Sequence, residues 1–238
     1  MRCSICCVWS TGLLAQASPQ QFWLTYNQQA RLSNKWGYLV DLNHRTSDFE
    51  EFNAIVSAAR AGGTYYISES FRISAGYAWF GTYTQKAEKQ LLNEHRAWQQ
   101  LQWLKKINRS NFMHRIRLEE RFREAFVNGE TTVRYSTRLR YMAQLQWPII
   151  ASTATHPFAL YAQGADELML HAGEGIGTHY FDQNRVLAGL AIQPNKKLEV
   201  AALYQLITQY QPSQQTHSNV HGIRLTILHQ LDFRRGAE

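Results

Sequence analysis

The chain has 238 residues, 45% of them hydrophobic and 13% aromatic, and a formal charge of +7. That length allows one domain or at most two, and no run of about 18 apolar residues occurs, which excludes a membrane-spanning helix but not a membrane barrel, whose apolar residues are diluted by alternation. The positive balance would suit nucleic acid, but the basic residues are scattered along alternating segments without a recognition helix or an RNA-binding signature, so nucleic acid is not an expected partner.

The N-terminus reads as a secretory signal over residues 1–17. Arg2 supplies a basic start, Cys3 to Leu14 a modest apolar stretch, and Ala15-Gln16-Ala17 a small-residue cleavage site before Ser18. All three cysteines (Cys3, Cys6, Cys7) fall in this segment. Residues 18–238 would therefore hold no disulfide and no thiol chemistry, and they are expected to form a single barrel domain.

From Phe22 the chain alternates between polar and apolar residues. The first strand is expected over Phe22–Leu32, a tight turn at Ser33-Asn34-Lys35, and the second strand from Trp36 to Arg45. A polar loop over Thr46–Asn53 leads to a third strand, Ala54–Ile67, with a bulge expected at Gly62-Gly63. Phe71 to Tyr83 is the fourth. Residues 86–107 are ambiguous: Leu92, His95, Trp98 and Leu101 fit helical spacing and Ala, Leu, Gln, Glu and Lys favour helix. The short turn at Asn108–Asn111 into a clear strand favours a strand instead, and both readings stay open. Phe112 to Trp147 carries the strongest pattern. Ile116, Leu118 and Phe122 alternate with Arg115, Arg117, Glu119, Arg121 and Arg123; after a loop at Asn128-Gly129, Val133, Tyr135, Leu139, Tyr141, Leu145 and Trp147 alternate with Arg134, Arg138 and Arg140. Pro148 is expected to end that strand. Further strands follow at Phe158–Leu170, with a break at Gly164, then Phe181–Gln193, Leu198–Tyr210, and a last one closing on Leu231-Asp232-Phe233. Connections are short after the first, third, fifth and ninth strands and longer after the even ones.

Strands longer than the usual 5–6 residues, with one apolar and one basic face and Tyr and Trp near the ends of the apolar faces, fit a membrane barrel with a charged lumen. The expected fold is all-β: an antiparallel transmembrane β-barrel of 10–12 strands with a polar, Arg-rich lumen. The strands count to eleven, but bacterial single-chain barrels have even numbers, so twelve is preferred. The last strand resembles the assembly signal of outer-membrane barrels, although five residues, Arg234 to Glu238, follow Phe233. Expected partners are therefore membrane lipids and the outer-membrane barrel assembly machinery, and the expected address is the bacterial outer membrane.

Several segments together resemble the Gram-negative family called domain of unknown function 2490: Leu32-Ser33-Asn34-Lys35-Trp36, Gly76-Tyr77, Asn93-Glu94-His95-Arg96 with Gln99-Gln100, and His114 through Phe122. Arg138-Leu139-Arg140-Tyr141, Asp166-Glu167, Phe181 through Arg185 and Asp232-Phe233 extend the likeness over nearly the whole mature chain. The resemblance implies an outer-membrane barrel and no established activity, so it carries over no catalytic residue.

The residues most able to do chemistry are those of the inward phase. Glu94, Arg96, Arg115, Arg117, Glu119, Arg121, Arg138, Arg140 and Arg185 form the candidate lumen network, with Arg224 in the same phase. Guanidinium forks pair bidentately with carboxylates and would brace a narrow lumen; positive rings would equally favour anions. The expected function is an outer-membrane barrel with a structural or transport-related, porin-like role. One alternative is an outer-membrane lipid hydrolase, for which His95, between Glu94 and Arg96, is the most suggestive catalytic candidate among the histidines, and no G-x-S-x-G nucleophile elbow occurs. The other is a soluble β-barrel that binds an anionic ligand. No cofactor and no metal is expected; His217 and His221, four apart, do not suit a metal on a strand.

Overall fold

The computed structural model describes residues 20–47, 52–84, 90–127, 130–153, 157–173, 179–211 and 215–234. The expected secretory segment and the expected loop at Asn128-Gly129 lie outside the described residues.

Among the described residues eleven strands form one closed barrel: β1 Gln20–Arg31, β2 Trp36–Thr46, β3 Ala54–Tyr66, β4 Phe71–Tyr83, β5 Leu91–Ile107, β6 Ser110–Val127, β7 Glu130–Ile150, β8 Ala159–Gly173, β9 Phe181–Asn195, β10 Leu198–Gln211 and β11 Thr216–Asp232. Sequential neighbours pair antiparallel, and β1 pairs with β11 in parallel from Gln20↔His221 to Arg31↔Asp232. The preferred count of twelve is thus corrected to eleven, and the all-antiparallel expectation to one with a single parallel seam. The reason is geometric: when neighbours alternate in direction, an odd-numbered last strand runs the same way as the first. The chain therefore enters β1 at one rim, beside Thr46 and Ala54, and leaves β11 at the other, beside Arg31. The first is called here the loop rim and the second the turn rim.

The ambiguous segment is a strand. β5 pairs continuously with β4 and β6, its Glu94, Arg96, Trp98, Gln100 and Gln102 buried and its His95, Ala97 and Gln99 exposed. Two neighbours that each supply a full ladder of backbone partners override local helix propensity. At the two-residue connection to β6, Asn108 adopts the left-handed conformation (φ 54°) that its short polar side chain tolerates.

Other local expectations are revised. The pairing of β3 runs through Gly62 and Gly63 without a bulge. Gly62 instead makes room for a lumen aromatic, because a Cβ there would lie 2.5 Å from Trp98 Cζ2. β8 continues through Gly164. β7 passes Pro148 and ends at Ile150, with its register shift between those two residues, where a proline without an N–H is tolerated. The connection after β6 is short, since β6 and β7 are 18 and 21 residues long and only residues 128–129 separate them.

The turn rim carries a clasp across the seam. Arg31, at the end of β1, donates to both oxygens of Glu69 in the β3–β4 turn (2.5 and 2.7 Å), and Arg234, just past β11, pairs with Asp232 and lies 3.9 Å from the same Glu69 carboxylate. Arg31's hydrogen bonds hold the Glu69 carboxyl below its ordinary range, and the Phe233 N–H donates to the Arg31 carbonyl (2.8 Å).

Parallel closure is directly testable. In the chain from Ser18, which has no native cysteine, Leu24→Cys with Leu225→Cys and Tyr26→Cys with Ile227→Cys place two outward pairs in the same order on both strands. Both pairs are expected to cross-link on oxidation, seen as a band shift reversed by reductant. An antiparallel closure would permit at most one.

Candidate functional site

The barrel is partitioned inside out. Large apolar side chains such as Leu24, Leu42, Ile116, Leu139, Leu190 and Ile223 are exposed on the outer face. Arg96, Arg117, Glu119, Arg121, Arg138, Arg140, Glu167 and Arg185 are buried in the lumen. Alternation along each strand produces this directly, because successive side chains take opposite faces.

The buried charges form a chain of ion pairs along the inner wall from β5 to β9. Glu94 on β5 accepts from Arg96 Nε (2.9 Å) and from Arg121 on β6. Arg96 Nη1 also donates to Glu119 on β6 (3.0 Å). Glu119, 1% exposed, accepts from Arg140 Nη1 on β7 (2.9 Å). Arg140 then forks onto Glu167 of β8, with Nη2 2.7 and 2.9 Å from its two oxygens and Nε 3.1 Å from one. Arg115 Nη2 reaches the same carboxylate at 2.7 Å, and Arg185 Nη1 of β9 lies 3.6 Å away. Beside the chain, Arg117 donates twice to Gln100 (3.0 and 2.5 Å), and Arg138 pairs with Asp182 (2.7 Å).

The structure thus brings together all nine residues of the candidate network. Arg224 also lines the lumen, whereas Arg134 is exposed beyond it near the loop rim. Sequence reasoning did not single out Glu167, which ties three arginines together, nor Asp182. Glu167 lies in the inward phase of β8, so alternation could have marked it; Asp182 is out of phase with the inward Gln183 and Arg185 and meets Arg138 beside the register shift between β8 and β9, which no pattern within one strand reveals. Trp23, Arg45 and Arg60 also face inward and were not picked out, since nothing in a strand's own pattern says what meets across a lumen.

His95 lies elsewhere. It is exposed on the outer face, and its Nδ1 meets the Tyr77 hydroxyl. Three other outward histidines are held the same way by a tyrosine of the neighbouring strand: His114 by Tyr141 (2.8 Å), His221 by Tyr204, and His229 by Tyr26 (3.4 Å). Each pair is diagonal in its ladder, offset by two residues. The repetition assigns His95 to a structural set. Among the described residues no group of three or more His, Cys, Asp or Glu could hold a metal ion.

Two cavities occupy the lumen, of about 340 Å³ toward the loop rim and about 320 Å³ toward the turn rim. Asn27, Asp41, Arg60, Arg115, Arg117 and Arg224 line both and form the girdle between them. The loop-side chamber is dominated by arginine. The turn-side chamber is lined largely by glutamines, including Gln29, Gln102, Gln144, Gln163 and Gln230, and by Leu and Met.

If the ion-pair chain braces the wall, Glu119→Gln leaves Arg96 and Arg140 without their shared carboxylate. A loss of about 3–5 kcal/mol is expected from breaking a buried pair on one side, measured as a lowered unfolding midpoint. Glu120→Gln, on the neighbouring outward position, is expected to change it little.

The family model described as protein of unknown function (DUF2490) matches residues 20–218. No curated protein matches the chain.

Proposed function

The chain belongs to the DUF2490 family, and we propose that it is an outer-membrane barrel whose lumen is a braced, charged compartment, with a structural or transport-related role. The inside-out partition carries this reading. A soluble barrel would turn its polar face to water, whereas here Leu, Ile, Val and aromatic side chains cover the outside and the charges are enclosed.

Three further features fit a bilayer. Outward aromatics cluster near both rims: Trp36 with Tyr65 (ring centroids 5.0 Å apart), Trp103 and Trp147 toward the turns, and Phe22 with Phe52 (6.0 Å) and Phe122 with Tyr135 (5.2 Å) toward the loops. The tyrosine–histidine pairs satisfy polar atoms that lipid could not. Among the described residues closure leaves no strand edge unpaired. β11 ends at Asp232 with the aromatic Phe233 directly after it, in keeping with delivery by the barrel assembly machinery. The lipid-hydrolase alternative gains nothing from His95, whose ring is held by a tyrosine on the outer face.

Protein refolded in detergent and run unboiled on a denaturing gel is expected to migrate faster than the boiled sample, as a closed barrel does. Identical migration, with protein soluble without detergent, would overturn the membrane reading. In planar bilayers the wild type is expected to conduct far less than an open porin, because the girdle divides the lumen. Arg140→Ala, which cuts the tie between Glu119 and Glu167, is expected to raise single-channel conductance severalfold.

A further inference from the structure

The ion-pair chain leaves the loop-side chamber with too much positive charge. Eleven arginines line it against three carboxylates, Asp41, Glu94 and Glu124. Adding Glu119, Glu167 and Asp182, which pair with these arginines from the wall, still leaves a clear excess of cations. The excess is concentrated at Trp23, which is 2% exposed. The guanidinium carbons of Arg45, Arg185 and Arg224 lie 3.8, 4.9 and 5.7 Å from its ring centroid. A ring face attracts cations but neutralises none. Of the three, Arg185 approaches a carboxylate, Glu167 at 3.6 Å, while Arg45 donates to the neutral Asn43 (2.7 Å). Among the described residues Arg45 and Arg224 make no ion pair, and the Arg224 Nε–H is buried without an acceptor. Buried N–H groups without acceptors also belong to Arg121 (Nη1) and Arg138 (Nε), which line the same chamber. Uncompensated buried charges and unmet donors are each costly. Several of them converge on one cavity of about 340 Å³, where unmatched positive charge and free donors are concentrated.

We propose that the loop-side chamber is a binding site for a phosphate-type oxyanion, held by Arg45, Arg185 and Arg224 where they meet on Trp23. A multiply charged oxyanion supplies both the negative charge and the acceptor lone pairs that the guanidinium forks lack, and the planar fork matches phosphate bidentately. Chloride would supply charge without that geometry. The volume exceeds that of a bare phosphate, so a phosphorylated molecule fits as well as the free ion. The site rests on the lumen's geometry and not on the membrane address, so the gel-shift experiment and the binding experiment fail separately.

The test uses the folded chain in neutral detergent micelles, with thermal unfolding followed in sodium chloride, inorganic phosphate or pyrophosphate at matched ionic strength. Phosphate and pyrophosphate are expected to raise the unfolding midpoint above the chloride value, pyrophosphate more, and calorimetric titration with pyrophosphate to give a saturable isotherm. Arg45→Gln and Arg224→Gln are each expected to weaken that isotherm at least tenfold. Without any phosphate they are expected to unfold no earlier than wild type, because each removes an unpaired buried charge; a merely structural arginine would do the reverse. Protection by micelles doped with lipid A, but not by either free ion, would assign the phosphate to a lipid headgroup and support the site. The proposal is overturned if neither free ion nor lipid A protects beyond chloride, or if both variants retain wild-type affinity.

Discussion

Guanidinium groups cannot stand uncompensated in a narrow space walled off from bulk water, and the interior of this barrel is arranged around that constraint. Glu119 and Glu167, 1% and 2% exposed, each serve more than one arginine, and Arg140 ties them together. The same pairs link five consecutive strands from within, so the bracing of the wall and the electrostatics of the lumen are one feature. The chain is asymmetric as well. Carboxylates gather along β5 to β9; on the opposite wall, where β1, β2 and β11 meet, Asp41 pairs with Arg60 (3.7 Å), and Arg45 and Arg224 meet Trp23 with no ion pair of their own among the described residues. Cation excess on one wall and ion pairing on the other give the loop-side chamber its character.

Closure supplies the second constraint. Eleven strands meet only through a parallel seam, and a parallel ladder is slightly less stable per residue than an antiparallel one. The seam is long, with Gln20 through Arg31 all paired, and it is clasped at the turn rim by Arg31, Glu69, Asp232 and Arg234. It also brings Trp23 of the first strand beside Arg224 of the last. The oddness of the strand count therefore builds the cationic wall as well as the closure.

The outer face follows from the same alternation. Where an apolar surface has to carry polar rings, four histidines are matched with a tyrosine hydroxyl two positions off in the neighbouring ladder, and His44 with the Ser57 hydroxyl opposite it. His95 was conspicuous in the sequence because Glu94 and Arg96 flank it. On a strand those two neighbours face away from it, so the three never form one site.

Much of this was legible before any coordinates. The strands from Phe112 to Trp147 could be read because arginine and aliphatic residues contrast sharply at period two. Seven of the nine residues of the lumen network followed from phase, whereas Glu94 and Arg96 sit on the ambiguous β5, and the tally of eleven strands was correct until a parity rule drawn from other barrels displaced it. β5 was not legible, since glutamine, tryptophan and leucine are shared between its faces and blur the alternation that its neighbours' ladders impose. By itself the sequence determined which side chains face inward, because that depends on position parity within one strand. Only the tertiary structure decided which of them meet, how the ends close and where charge is left over, because those depend on register across strands that are far apart in the chain.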